Sequence, residues 1–107
     1  MKILVVCDQG NNRSVTIAHH LKYWGHDVIP VGIQTNSADT LALLCEWADR
    51  IILTESKQAV EFDLNPYLHK AEAWDVGPDV YPRPFNKQLL RKVRTLMESH
   101  KDVYKAS

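Results

Sequence analysis

At 107 residues the chain has room for a single domain, taken as residues 1–107. A hydrophobic share of 45% can bury a core, and 13 basic residues balanced by 13 acidic ones leave no net positive field to hold nucleic acid or an anionic membrane. Its longest apolar runs fall far short of a membrane span, no signal-peptide pattern follows Lys2, and two cysteines do not make a secreted disulfide framework. A reduced, cytoplasmic protein is expected.

Residues 2–6 (KILVV) predict a buried strand. Helical spacing takes over at residues 14–24, with Ile17, Leu21 and Trp24 on one face and Gly25 as the stop. Residues 27–33 (DVIPVGI) predict a second strand, and Pro30, which cannot donate to a ladder, argues for an edge position. Asn36 or Ser37 can cap a following helix whose stripe is Leu41, Leu44, Cys45 and Ala48. Residues 50–54 (RIILT) predict a third strand, residues 56–62 a short helix broken by Asn65-Pro66, and residues 72–76 a weaker fourth strand. The loop 77–84 (GPDVYPRP) is stiffened by proline. A last helix is expected over residues 86–99, with Leu89, Leu90, Val93, Leu96 and Met97 at helical spacing. Strands alternating with helices imply an α/β fold with a parallel sheet and right-handed crossovers. In such sheets ligands bind outside the carboxyl ends of the strands, which puts Cys7, Glu55 and the loop 77–84 on one edge.

Between the first strand and first helix lies Cys7-Asp8-Gln9-Gly10-Asn11-Asn12-Arg13-Ser14. A loop of this length can turn its backbone N–H groups inward around a tetrahedral oxyanion. Gly10 admits conformations that a Cβ resists. Arg13 offers a planar fork to two phosphate oxygens. Cys7, ringed by N–H dipoles beside a guanidinium, is favoured as the nucleophilic thiolate, and Ser14 can donate a hydrogen bond to it. The competing reading is a buried cysteine ending a strand and a solvated arginine. Arginine near a helix N-terminus is unfavourable unless an anion offsets the dipole, which weakens that reading.

Elsewhere the residues read as structural. His19 and His20 diverge by about 100° on a helix and cannot share a metal as an i,i+4 pair can. Cys45 falls on a core stripe. Lys87, Arg91, Lys92 and Arg94 form a solvated helix face, and no Walker loop, dinucleotide fingerprint or zinc-type cysteine pairing occurs.

The Cys-X5-Arg-Ser loop after the first strand resembles the phosphate-binding loop of the low-molecular-weight protein tyrosine phosphatases. Its Asn-Arg-Ser ending is also similar to that of phosphatases acting on the RNA polymerase II tail. Downstream, Cys45-Glu46-Trp47-Ala48-Asp49-Arg50-Ile51-Ile52 resembles the helix, Trp-Ala-Asp, strand stretch of short bacterial members. Trp74-Asp75-Val76-Gly77-Pro78-Asp79-Val80-Tyr81 is similar to the segment holding the family's general-acid loop. The resemblance, to a short and divergent member, implies a three-layer sandwich with four parallel strands in order 2-1-3-4. It implies phosphomonoester hydrolysis, with protein tyrosine phosphate foremost, through a phosphocysteine intermediate and without cofactor or metal. The partner would be a phosphorylated protein or a small phosphomonoester.

On this resemblance Cys7 is the nucleophile, Arg13 the phosphate clamp and Ser14 the thiolate partner, with residues 8–14 cradling the phosphate. Asp79 is the general acid and later the base, with Asp75 in reserve. Tyr81 would line the cleft or simply pack. Asp8 departs from the pattern: relatives carry an apolar side chain facing substrate there, and a carboxylate would repel a dianionic phosphate. Asn12 stands where many relatives have a second loop cysteine, and Val15 where they have proline.

Three other functions remain open. A sugar-transport IIB-type phosphocarrier also places a cysteine after strand one, but such loops lack the arginine. A non-catalytic phosphate-binding module would not need Asp79 within reach of Cys7. An arsenate reductase needs resolving cysteines near the loop.

Overall fold

The computed structural model describes residues 1–9, 12–61, 63–77 and 80–105. Strand β1 (Lys2–Cys7) leads through helix α1 (Arg13–Tyr23) to β2 (Asp27–Gly32), then α2 (Ala38–Trp47) and β3 (Arg50–Leu53). A single turn, α3 (Gln58–Glu61), and a 3-10 stretch (Asn65–Lys70) precede β4 (Ala71–Ala73) and the long α4 (Lys87–Tyr104). The strands form one parallel sheet in the order β2-β1-β3-β4, as expected. Pro30 lies on the edge strand β2, opposite Val5, where its missing N–H faces away from the ladder.

β1 runs through the middle, and its side chains alternate between two cores because successive residues of a strand point to opposite faces. Ile3 and Val5 join Ile52 beneath α1 and α4, packing with Ile17, Leu21, Leu89 and Val93. Leu4 and Val6 join Ile51 and Leu53 on the other face, against Leu41 and Cys45 of α2 and Leu64. Burial on both faces explains the continuous apolar run of β1. Among the described residues no helix is long and apolar enough to cross a membrane.

Helix boundaries follow local chemistry. Gly25 (φ +93°) ends α1 in a Schellman turn, with Gly25 N–H donating to Lys22 O at 2.9 Å and His26 N–H to Leu21 O at 3.3 Å. Of the two candidate caps, Ser37 is the one used: its Oγ accepts from Thr40 N at 3.2 Å. Asn36 instead donates to Gly32 O at 2.9 Å.

Four expectations need correction. The short helix expected over 56–62 is the single turn α3; Phe62 lies outside the described residues. Asn65-Pro66 opens the 3-10 stretch rather than only breaking a helix, because proline at a first helical position loses no needed hydrogen bond. The fourth strand is Ala71–Ala73, not 72–76, although Trp74 N–H to Leu53 O (2.7 Å) and Val76 N–H to Thr54 O (2.9 Å) keep the chain alongside β3. The last helix begins as expected, with Asn86 Oδ1 accepting from Gln88 N at 3.0 Å, but runs on to Tyr104. That extra turn is held by tertiary contacts: Tyr104 is buried, its hydroxyl donates to Glu72 at 2.7 Å, and Trp74 stacks on His100 at 4.2 Å between ring centroids.

Candidate active site

In the order 2-1-3-4 the chain leaves β1 outward to β2 and then returns to the other side of β1 at β3. The carboxyl ends of β1 and β3 therefore flank the crevice where such sheets bind ligands. Cys7 ends β1 and Thr54-Glu55 follow β3, so the nucleophile candidate and Glu55 face one another across that crevice.

The Cys7 Sγ lies 3.0 Å from Ser14 Oγ in the first turn of α1, and both residues are buried. The separation fits a hydroxyl donating to sulfur. Helix α1 has no acidic side chain in its first turn, so its N-terminal dipole is left to an anion. Asn12, at the N-cap position, makes no side-chain cap; its Nδ2 donates instead to Tyr81 O at 2.6 Å, tying the loop to the segment beyond residue 80. Thr16 adds a second tie, accepting the Phe85 N–H at 3.1 Å. Phe85 adopts a left-handed backbone (φ 61°) that costs a β-carbon residue about 1–3 kcal/mol, and its ring edge meets His19 at 5.2 Å between centroids.

Arg13 is wholly buried, which an isolated guanidinium could not be. Its Nη1 donates to Glu55 Oε1 and, at 2.8 Å, to Gly77 O; its Nη2 lies 3.4 Å from Asp8 Oδ2. The left-handed turn at Gly77 (φ +96°) lies where its carbonyl meets Arg13, and a Cβ there would approach Lys92 Nζ to 3.2 Å. Lys92 in turn donates to Val76 O at 3.2 Å. Outside the crevice Lys57 Nζ sits 3.6 Å from Glu55 Oε2, and Glu55 foremost, then Asp8 and Glu61, raises the Lys57 ammonium above the ordinary lysine value. Among the described residues, Arg13 and Lys57 thus meet the carboxylates of Asp8 and Glu55 beside the loop.

Asp8 and Tyr81, the two cleft candidates, both make contacts within the protein. Asp8 does not hold its carboxylate open to the cleft: one oxygen faces Arg13, and the other accepts from Gln58 Nε2 at 3.2 Å. Its negative charge lies against the guanidinium, 3.4 Å from Arg13 Nη2. Tyr81 is 7% exposed and packs in the core beneath α1 and α4, and among the described residues its carbonyl accepts from Asn12 of the loop. Asp75, the reserve acid, accepts from Ser56 N at 2.8 Å and Ser56 Oγ at 2.9 Å, a tie between the segments after β4 and β3. Gly10, Asn11 and Asp79 lie outside the described residues. Gln9 is exposed at the loop, its carbonyl 3.4 Å from Thr35 Oγ1.

Two residues escaped the sequence reading as parts of the site. The sequence puts Glu55 on the right edge without a role and does not single out Gln58. The available signal was modest: a carboxylate and an amide three residues apart just past a buried strand. Among the described residues no group of three or more His, Cys, Asp or Glu could hold a metal ion.

Neither a protein-family model nor a curated protein matches the sequence. The structure is similar to that of the YwlE arginine phosphatase from Geobacillus stearothermophilus, with a TM-score of 0.62 over 99% of this chain and 98% of that one, at 14% sequence identity. At that identity the likeness carries the fold alone: an α/β arrangement around a four-stranded parallel sheet.

Proposed function

We propose that this chain hydrolyses phosphomonoesters through a phosphocysteine intermediate. The observation that carries the proposal is the pairing of Cys7 Sγ with Ser14 Oγ at 3.0 Å, beside a wholly buried Arg13 and at the N-terminus of α1. A buried arginine, a helix whose first turn has no acidic side chain and a cysteine at the carboxyl end of a central strand together favour an anion at that point.

In the first step the Cys7 thiolate attacks phosphorus as the ester P–O bond breaks, and the leaving oxygen takes a proton from Asp79. Arg13 and the loop N–H groups carry the charge spread over the remaining phosphate oxygens. In the second step water attacks the phosphocysteine, giving its proton to Asp79, and the S–P bond breaks to return thiolate and inorganic phosphate. Ser14 stabilises the departing sulfur. No metal is called for, because the loop and Arg13 supply the electrostatic stabilisation.

The resemblance of the loop favours tyrosine phosphate on a protein as substrate, and the structural likeness adds arginine phosphate to the compounds worth assaying. Turnover of para-nitrophenyl phosphate across pH, inhibited by vanadate and abolished in Cys7→Ser, is the expected result. Vanadate binding without turnover would instead identify a phosphate-binding module. Turnover persisting in Cys7→Ser would remove the cysteine from the mechanism.

A further inference from the structure

Gln58 is a polar side chain with no exposed surface, on the single turn α3. Its neighbours decide its orientation. The Glu55 N–H donates to one amide atom at 3.1 Å, which must be the carbonyl oxygen Oε1. Nε2 then faces Asp8 Oδ1 at 3.2 Å and Thr54 Oγ1 at 3.0 Å. Turned over, the amide would set N–H against N–H and oxygen against carboxylate. One buried amide therefore touches both residues whose carboxylates flank Arg13: Asp8 through its side chain and Glu55 through its backbone. A methionine would fill the same space and supply neither bond. A glutamate would accept from Glu55 but could not donate to Asp8.

We propose that Gln58 is a positioning residue for the oxyanion clamp, fixing Asp8 and Glu55 and through them the orientation of Arg13. The proposal rests on the phosphatase reading of the same site. Among the described residues the hydrogen bonds of Gln58 go to Thr54, Glu55 and Asp8 and not to Cys7, so its effect belongs in the grip on the phosphoryl group.

The test compares Gln58→Glu alone with Gln58→Glu combined with Asp8→Asn. The double variant restores one donor–acceptor pair with its polarity reversed and keeps the wild-type charge count. The single variant should raise KM for para-nitrophenyl phosphate and the vanadate inhibition constant about ten- to a hundredfold, with a smaller change in kcat. The double variant should recover most of that loss, which a purely packing role would not produce. Gln58→Met, neutral and near-isosteric, should shift KM in the same direction and serves if the charged variant does not fold. Unchanged KM and vanadate inhibition in a folded single variant, or a double variant no better than Gln58→Glu alone, would overturn the proposal while wild-type turnover stands. A wild-type protein that neither turns over substrate nor binds vanadate would overturn the phosphatase reading, and this proposal with it.

Discussion

Arg13 and Glu55 are 42 residues apart in sequence and meet as a buried guanidinium–carboxylate pair across the crevice between β1 and β3. Removing one partner from such a pair leaves a charge without its counter-ion, which costs several kcal/mol when burial is complete. Asp8 and the Gly77 carbonyl stay beside Arg13, so the cost is smaller. Glu55→Gln should lower stability by about 1–3 kcal/mol. Phosphate or vanadate supplies the missing negative charge at Arg13. Either anion should therefore raise the melting temperature of Glu55→Gln more than that of the wild type. An equal shift in both proteins would mean that the anion does not reach Arg13.

Ser14→Ala tests the 3.0 Å contact with Cys7. Loss of a hydrogen bond to a charged group should slow breakdown of the phosphoenzyme by about ten- to a hundredfold. Rapid-quench measurements should then show the phosphocysteine accumulating in an initial burst. A uniform slowing without a burst would place the effect on its formation instead.

Asp79→Asn should lower kcat by about 10²–10⁴, most strongly for leaving groups of high pKa. Asp75→Asn should change activity far less and stability more, because its carboxylate holds Ser56 through three contacts of 2.8–3.0 Å. Leaving-group series on both variants check this, and reversed effects would make Asp75 the acid.

Peroxide should inactivate the protein without joining its two cysteines. Residues 3, 5 and 7 of β1 share one face of the sheet, while Cys45 is fully buried against the other. Burial also pushes the Cys45 thiol up, which keeps it unreactive. Catalytic arsenate reduction should likewise be absent. A Cys7–Cys45 disulfide in the peptide map would refute this.

Burial, reinforced by the hydrogen bond to Glu72, raises the Tyr104 phenol above its ordinary value. A folded-state pKa raised above the unfolded one stabilises fully below the unfolded value, near pH 10, and is lost as pH climbs through the folded one. Wild-type stability should therefore fall above about pH 10, and Tyr104→Phe should lose less over that range. At neutral pH the variant should be about 0.5–1.5 kcal/mol weaker from the missing bond. Denaturant melts from pH 7 to 11 compare the two slopes, and parallel slopes would exclude Tyr104 as the source.

Much of this molecule was legible in one dimension because its determinants are local. The apolar run of β1, the switch to helical spacing at residue 14, the Gly25 stop and the Ser37 cap each depend on neighbours within a few residues. Pro30 identified an edge strand because the chemistry of a missing N–H does not depend on what surrounds it. That the segment from Cys7 to Ser14 joins a strand to a helix was readable for the same reason.

What only the tertiary structure decided is where side chains go once the sheet has assembled. The order of strands brings Glu55, Gln58 and Gly77 to Arg13 and Asp8 across separations of 42, 50 and 64 residues. No periodicity encodes such meetings. The same packing turns Asp8 onto Arg13, draws Tyr81 into the core and carries α4 on to Tyr104. A carboxylate beside a buried guanidinium pairs with it, and a ring beside an uncovered apolar face covers it. Sequence alone names those residues, but which charge and which face each one finds depends on the assembled sheet.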